Sequence, residues 1–188
     1  MNINRLLPLS RALRGAKSLP DAGRAALALA RALGEDLRTL FELDQRAASD
    51  GLLLRVLGLP LELAAAAEFD LALAVARAFS FAARAELDGD IAVILASAGR
   101  RDEALAQLER NLAAAKNPYI AEAKAGDTYR ALGELDAAEA YYRRALAVTV
   151  NESDRTEAVL RITSFLLDSG RVADADAFLK AQGKAPSR

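Results

Sequence analysis

The chain contains no cysteine, no histidine and no tryptophan. Without thiols there is no disulfide to staple a core and no thiolate nucleophile, and without imidazole the usual general base at neutral pH is missing. Zinc sites built from His and Cys are excluded with them. Aromatic residues make up 5% of the chain, so its core has to be assembled from small and aliphatic side chains. Runs of Val, Ile and Thr alternating with polar residues, the mark of half-buried strands, are missing too. So are the phosphate loops G-x-x-x-x-G-K-[ST] and G-x-G-x-x-G. Apolar content is high from Leu52 to Leu87, but Arg55, Glu62, Glu68, Asp70 and Arg77 interrupt it short of a bilayer-spanning length. At the start, the apolar patch Leu6–Ser10 ends at Arg11 and is too short for a secretory signal, so a soluble, cytoplasmic chain without membrane insertion is expected.

What is present favours helices. The 188 residues are 53% apolar and 27% charged, enough for one domain with a substantial core. Ala, Leu, Arg and Glu dominate, and they lose little side-chain freedom in a helix, so the fold class is all-α. The net charge of −1 gives no basic field, and no nucleic-acid partner is expected. The charge is uneven: Arg5, Arg11, Arg14, Lys17, Arg24 and Arg31 face only Asp21 in the first 34 residues, a pattern ordinary for a solvated helix surface.

The most ordered stretch is GDTYRALGELDAAEAYYRRA, residues 126–145. Gly126, Tyr129, Gly133, Ala138, Tyr142 and Ala145 stand where a helical hairpin needs small residues for close approach and aromatics to fill the space between. Gly133 marks the turn, since a reversing helix needs a residue that tolerates positive φ. Thirty-four residues back stands Gly99, with Ala104 and Leu108 in place of Ala138 and Tyr142; 37 residues on stands Gly170, with Ala175 and Leu179. Gly34 and the glycine-free Ala67 extend the register to marks separated by 33, 32, 34 and 37 residues. The three extra residues fall around Asn151–Asp154, where Asp154 is expected to cap the next helix with Glu157 completing the box, as Asp136 and Glu139 do one hairpin earlier. Gly58 and Pro60 are expected to break the helix before Ala67.

The G-x2-Y, Ala and aromatic positions resemble a tetratricopeptide repeat, clearly over residues 86–180 and in degenerate form before that. The resemblance implies an α/α superhelix (solenoid) of about three clear and up to five hairpins. Residues 18–182 then form one repeat domain, 1–17 an N-terminal extension and 183–188 a flexible tail. The family pattern is not complete: its Trp position is Glu122 in the clear repeat and Asp88 in the one before, and Pro118 falls two positions late.

Implied function follows the family: a non-enzymatic scaffold that binds a partner peptide or helix in a groove lined by the first helices. The groove positions carried over are Glu86, Asp90, Val93 and Ser97; Ile120, Ala123, Lys124, Asp127, Arg130 and Ala131; and Glu157, Leu160, Arg161, Ser164, Leu167 and Asp168. The Lys and Asn of a carboxylate clamp are replaced by Gly89/Val93, Ala123/Asp127 and Leu160/Ser164, which argues for a segment of mixed charge with aliphatic anchors. Reversing the charge of Arg130 and Arg161 is expected to weaken binding and leave helicity intact. The other reading is a self-associating assembly module, a homo-oligomer built through exposed terminal helices on which Phe178 and Leu179 lack a covering repeat. Two D-x-D pairs, Asp88/Asp90 and Asp174/Asp176, have the donors for Mg²⁺ but read as acidic residues at helix starts, so no cofactor, metal or catalytic residue is expected. Tyr142 is expected in the core and Tyr141 against the next repeat.

Overall fold

A computed structural model describes residues 11–34, 52–80 and 84–183, and among these every regular element is helical. The helices are α1 (Leu19–Leu33), α2 (Leu52–Ala65), α3 (Phe69–Phe79), α4 (Arg84–Ser97), α5 (Arg101–Ala114), α6 (Pro118–Ala131), α7 (Leu135–Ala147), α8 (Glu152–Asp168) and α9 (Val172–Gly183). They form two compact units, 1–111 and 112–188.

The sequence register is written into the backbone. Among the described residues, positive φ occurs at Gly34, Ala67, Gly99, Gly133 and Gly170, the five turn marks. At four of them the helix ends in the same pair of bonds. At Gly133, for example, its own N–H donates to Arg130 O at 3.0 Å and the Glu134 N–H to Tyr129 O at 2.9 Å. This double bond is the Schellman ending, in which a left-handed residue lets the chain reverse while the last carbonyls stay satisfied. Ala67 makes it without a glycine, at φ 62°, with its N–H on Ala64 O and the Glu68 N–H on Leu63 O, both at 2.9 Å. Gly34 ends α1 differently, at φ 48° and ψ −121°, and the helix expected after it lies outside the described residues.

A Cβ in the left-handed region costs roughly 1–2 kcal/mol, of which the extra freedom of an unfolded glycine returns about half. Ala67→Gly is therefore expected to raise stability by about 0.5–1 kcal/mol in urea unfolding. An unchanged midpoint would mean that this turn relaxes its strain elsewhere.

In the first unit, α1 packs on α2 and α3, and α4 on both of those. Ala22, Ala26, Leu29, Val56, Leu59, Leu63, Leu73 and Phe79 are buried there. Pro60 does not break α2: it lies inside the helix, which runs on to Ala65 while Leu59 and Leu63 on either side are fully buried. Burial of those neighbours offsets the one backbone hydrogen bond a proline removes. Asp88 and Asp90 do not start a helix either, because α4 begins at Arg84; the Asp88 carbonyl instead accepts from Asn111 Nδ2 of α5 at 2.7 Å.

In the second unit, α6 and α7 form the clear hairpin, and α8 lies on α7 and pairs with α9. Its main core joins Ala138 and Tyr142 to Ile162, Phe165, Leu166 and Ala175, and Phe178 packs against it with Arg143 over its ring. Phe178 is thus covered from within its own unit. The cap of α8 is Asn151, not Asp154: the Asn151 Oδ1 accepts the Asp154 N–H at 2.8 Å, and its Nδ2 donates to the Asp154 carboxylate at 2.9 Å. The helix starts three residues earlier than a cap at Asp154 would allow, so that carboxylate sits in the first turn, where the helix dipole favours it. Glu139 is not free to complete a box at α7; it accepts from Arg143 and from Arg171 at the start of the next hairpin turn.

Candidate functional site

Side chains one repeat apart tie the first helices α6 and α8 together. The Asp127 carboxylate accepts from Arg161 Nη1 with both oxygens, at 2.8 and 2.7 Å, across 34 residues of sequence. Arg161 Nη2 also donates to Glu157 at 3.0 Å, and the Tyr142 hydroxyl donates to Asp127 at 2.8 Å. A looser pair, Arg130 with Asp168 at 3.5 Å, repeats the link further along the helices. The Asp127 and Arg161 side chains are only 21% and 26% exposed, which separates this pair from the surface salt bridges around it.

Partial burial sets the electrostatics. Desolvation works against charge on Arg161, but the Asp127 and Glu157 carboxylates outweigh it and hold the guanidinium protonated beyond its already high ordinary value. The Tyr142 phenol is pushed upward, first by burial and then by the Asp127 carboxylate that it faces. Tyr119, on the first turn of α6, is 4% exposed, and its hydroxyl has no hydrogen-bond partner; neither does Arg161 Nε. Burial, followed by the charge of Glu157, pushes the Tyr119 phenol up to about 12.

Because that hydroxyl is desolvated without a bond in return, Tyr119→Phe is expected to leave stability unchanged or raise it by up to about 1 kcal/mol at neutral pH. The pH dependence has a definite sign. An unfolded tyrosine ionises near 10 and the folded Tyr119 near 12, so its contribution is complete below the lower value and disappears as pH rises through the upper one. Tyr119→Phe should make the alkaline loss of stability shallower in that window, with the remaining slope carried by Tyr142. An identical pH profile in the variant would contradict this assignment.

Away from Asp127, Tyr129 and Tyr141 stack with centroids 5.1 Å apart, and Arg144 covers Tyr141 at 4.6 Å. Tyr141 therefore leans on its own hairpin rather than on the next repeat. Arg144 is anchored by Glu122 at 2.7 Å, so the position that carries Trp in the resembled family holds a carboxylate fixing this stack.

The positions nominated from sequence divide into three groups. Asp127, Glu157 and Arg161 meet in one network, and Arg130 meets Asp168. Ile120 packs on the Tyr119, Ala123, Ala145 and Ala158 cluster; Lys124 and Ala131 are half-buried, and Ser164 is exposed. In the first unit Ser97 is exposed and Val93 half-buried, whereas Asp90 is 3% exposed and lies inside the unit rather than on its surface. Glu86 lies on α4, and its side chain is outside the described residues. Tyr119 was not singled out by pattern, and Glu122 only as the residue at the family's Trp position; the sequence signal available for both was the Asn117-Pro118 helix start that fixes their register.

Residues 118–188 match the family model for the tetratrico peptide repeat. This stretch is tetratricopeptide-repeat-like. It takes in α6 to α9, the hairpins around Gly133 and Gly170 and the whole Asp127–Arg161 network. Repeats of this kind are, in general, protein-interaction scaffolds and typically non-catalytic. No curated protein matches the chain. Among the described residues no helix is long and apolar enough to cross a membrane, and no three Asp or Glu side chains gather as a metal site would require.

Proposed function

We propose that the chain is a non-enzymatic, cytoplasmic protein-interaction scaffold that presents the first helices of its repeats to a peptide or helix of a partner protein. The observation that carries this reading is the Asp127–Arg161 link, which joins α6 to α8 from within. Helices already held together lose little further freedom when a flexible segment docks on them, so more of the contact energy appears as affinity. Around the link, Lys124, Arg130, Ser164 and Asp168 supply charges of both signs and a hydroxyl, which suits a segment of mixed charge.

Arg161 serves poorly in a test of this face. Reversing its charge would set a glutamate against Asp127 and Glu157, so lost binding would report lost folding. The double variant Lys124→Glu with Arg130→Glu leaves the link intact. In affinity capture from the native host, the wild-type chain is expected to retain a protein that this variant, equally helical by circular dichroism, retains at least about tenfold less. Equal retention by the two proteins would remove the first-helix face as the site.

A further inference from the structure

Carboxylates are missing from the start of the chain. Residues 1–20 contain Arg5, Arg11, Arg14 and Lys17 and no Asp or Glu, and Asp21 is the first acid. That acid is already engaged: its Oδ2 accepts from the Ser18 hydroxyl at 2.7 Å and its Oδ1 from Arg24 Nη2 at 2.6 Å. Further along, Arg55, Arg100, Arg143, Arg144, Arg161 and Arg171 each hold a carboxylate. Arg11, Arg14 and Lys17 hold none among the described residues, and all three are exposed. The Gly15 N–H donates to Arg11 O at 2.8 Å, so Arg11 and Arg14 lie within one helical turn. Leu13 between them is 1% exposed and fastens this turn to the first unit. Lys17 follows just before the Ser18 cap of α1, three residues and so at most about 11 Å from Arg14. The residues between the cations are small: Ala12 and Gly15 are exposed and Ala16 is half-buried, so no bulky side chain holds an incoming backbone away. Three like charges this close repel one another, and an anion laid among them relieves the repulsion.

We propose that the basic cluster Arg11, Arg14 and Lys17 is a docking surface for a short acidic segment of a partner protein. Two of its three cations are arginines, whose planar guanidinium takes a carboxylate through two parallel N–H bonds. A short segment meets the cluster alone. A membrane or a nucleic acid is an anionic surface larger than the cluster, and it would also meet the acids of a chain whose net charge is −1. Stable membrane binding needs an apolar anchor besides the cations, and no large apolar side chain of residues 11–34 is exposed. Stacking on nucleobases needs an aromatic ring, and residues 11–34 contain none. Two copies of the cluster repel each other, so it does not pair with itself. The cluster belongs to the first unit and the face around Lys124 and Arg130 to the second, and each can bind without the other.

The test uses the full chain and a fluorescein-labelled peptide of alternating glutamate and serine, with glutamine in place of glutamate as control. At low salt, fluorescence anisotropy is expected to saturate for the acidic peptide with a Kd below about 1 mM, and the affinity to fall as salt is raised. Arg11→Gln with Arg14→Gln and Lys17→Gln should lower that affinity at least about tenfold at unchanged helicity. Arg77→Gln with Arg110→Gln and Lys116→Gln removes as much charge from exposed cations elsewhere and should change it by less than about twofold. Equal losses in the two triple variants would reduce the effect to net charge and overturn the proposal. Equal binding of the glutamine peptide, or no saturation up to about 1 mM, would do the same. So would tighter binding to phosphatidylserine vesicles or a DNA duplex than to the acidic peptide, lost in the first triple variant, which would assign the cluster to a lipid or nucleic-acid surface. Sedimentation showing the chain alone as a dimer that this variant dissociates would assign it to a second copy instead.

Discussion

Gly126→Ala is expected to destabilise the protein by about 2 kcal/mol, although alanine is the better helix former. Gly126 lies inside α6 and is buried, with the ring of Tyr142 directly over it. A Cβ built there falls 2.4 Å from both Cδ1 and Cε1 of that ring, well inside contact distance. The ring has nowhere to retreat, because Tyr142 is 1% exposed, packs edge-on to Phe165 at 5.4 Å between centroids and is fastened to Asp127 through its hydroxyl. Overpacking of a rigid core costs roughly 1–3 kcal/mol; two contacts at 2.4 Å put this case at the upper end, about 3 kcal/mol, which the gain of about 1 kcal/mol in helix propensity offsets only in part. For a chain of this size the unfolding midpoint should fall by roughly 5 °C.

The chain's other hairpins show how the clash is relieved. The register partners of Gly126 and Tyr142 are Ala92 with Leu108 in the Gly99 hairpin and Thr163 with Leu179 in the Gly170 hairpin. Where the small position gains a Cβ, the large position loses its ring. Tyr142→Leu alone should cost about 2–3 kcal/mol through lost volume and the lost bond to Asp127, yet Gly126→Ala with Tyr142→Leu should cost clearly less than the sum of the two. Additive costs would mean that the ring and the glycine do not constrain each other. As a control, Gly133→Ala meets no atom within 4 Å of the added Cβ, so its expected loss of about 1 kcal/mol reflects its φ of 78° alone.

Arg161→Met should cost about 2 kcal/mol, more than the loss of any exposed ion pair in the molecule. The substitution keeps much of the aliphatic stem but leaves Asp127, 21% exposed, with the Tyr142 hydroxyl as its remaining donor and Glu157 without its partner on α8. Exposure of about a quarter of each side chain keeps the value below the 3–5 kcal/mol typical of a broken, fully buried pair. In a double-mutant cycle, Asp127→Asn with Arg161→Met should recover about 1 kcal/mol relative to the summed single costs. By contrast, Arg24→Ala or Lys180→Ala should shift stability by less than about 0.5 kcal/mol, since their partners Asp21 and Asp176 are more than half exposed.

Turn positions were legible in the sequence because the constraint behind them is local. A chain reversal needs a left-handed residue every 32 to 37 positions, and the spacing singled out even Ala67, which no residue-type rule would select. Tyr142 was legible as core for a similar reason, from its fixed offset to Gly133. Features decided by neighbours distant in sequence were not. Pro60 reads as a helix breaker until Leu59 and Leu63 are seen buried beside it. The preference for Asn151 over Asp154 as a cap depends on where α8 is pulled to start by its packing. Arg161 reads as a groove cation from its register, and only the proximity of α6 turns it into a bridge to Asp127. The unpartnered Tyr119 hydroxyl belongs to the same class, since nothing in the local sequence announces a desolvated phenol.

Left-handed turns at a repeat interval set the hairpins, glycine against tyrosine closes the clear one, and a half-buried ion pair holds its first helix to the next. The face so fixed is the proposed seat of a partner segment. Hydrogen exchange of the full chain with and without the protein it captures tests this most directly. The account predicts slowed exchange concentrated on α6 and α8 around Lys124, Arg130, Ser164 and Asp168, absent in the Lys124→Glu/Arg130→Glu variant. Slowing confined to α7 and α9, or spread equally over both variant and wild type, would contradict it.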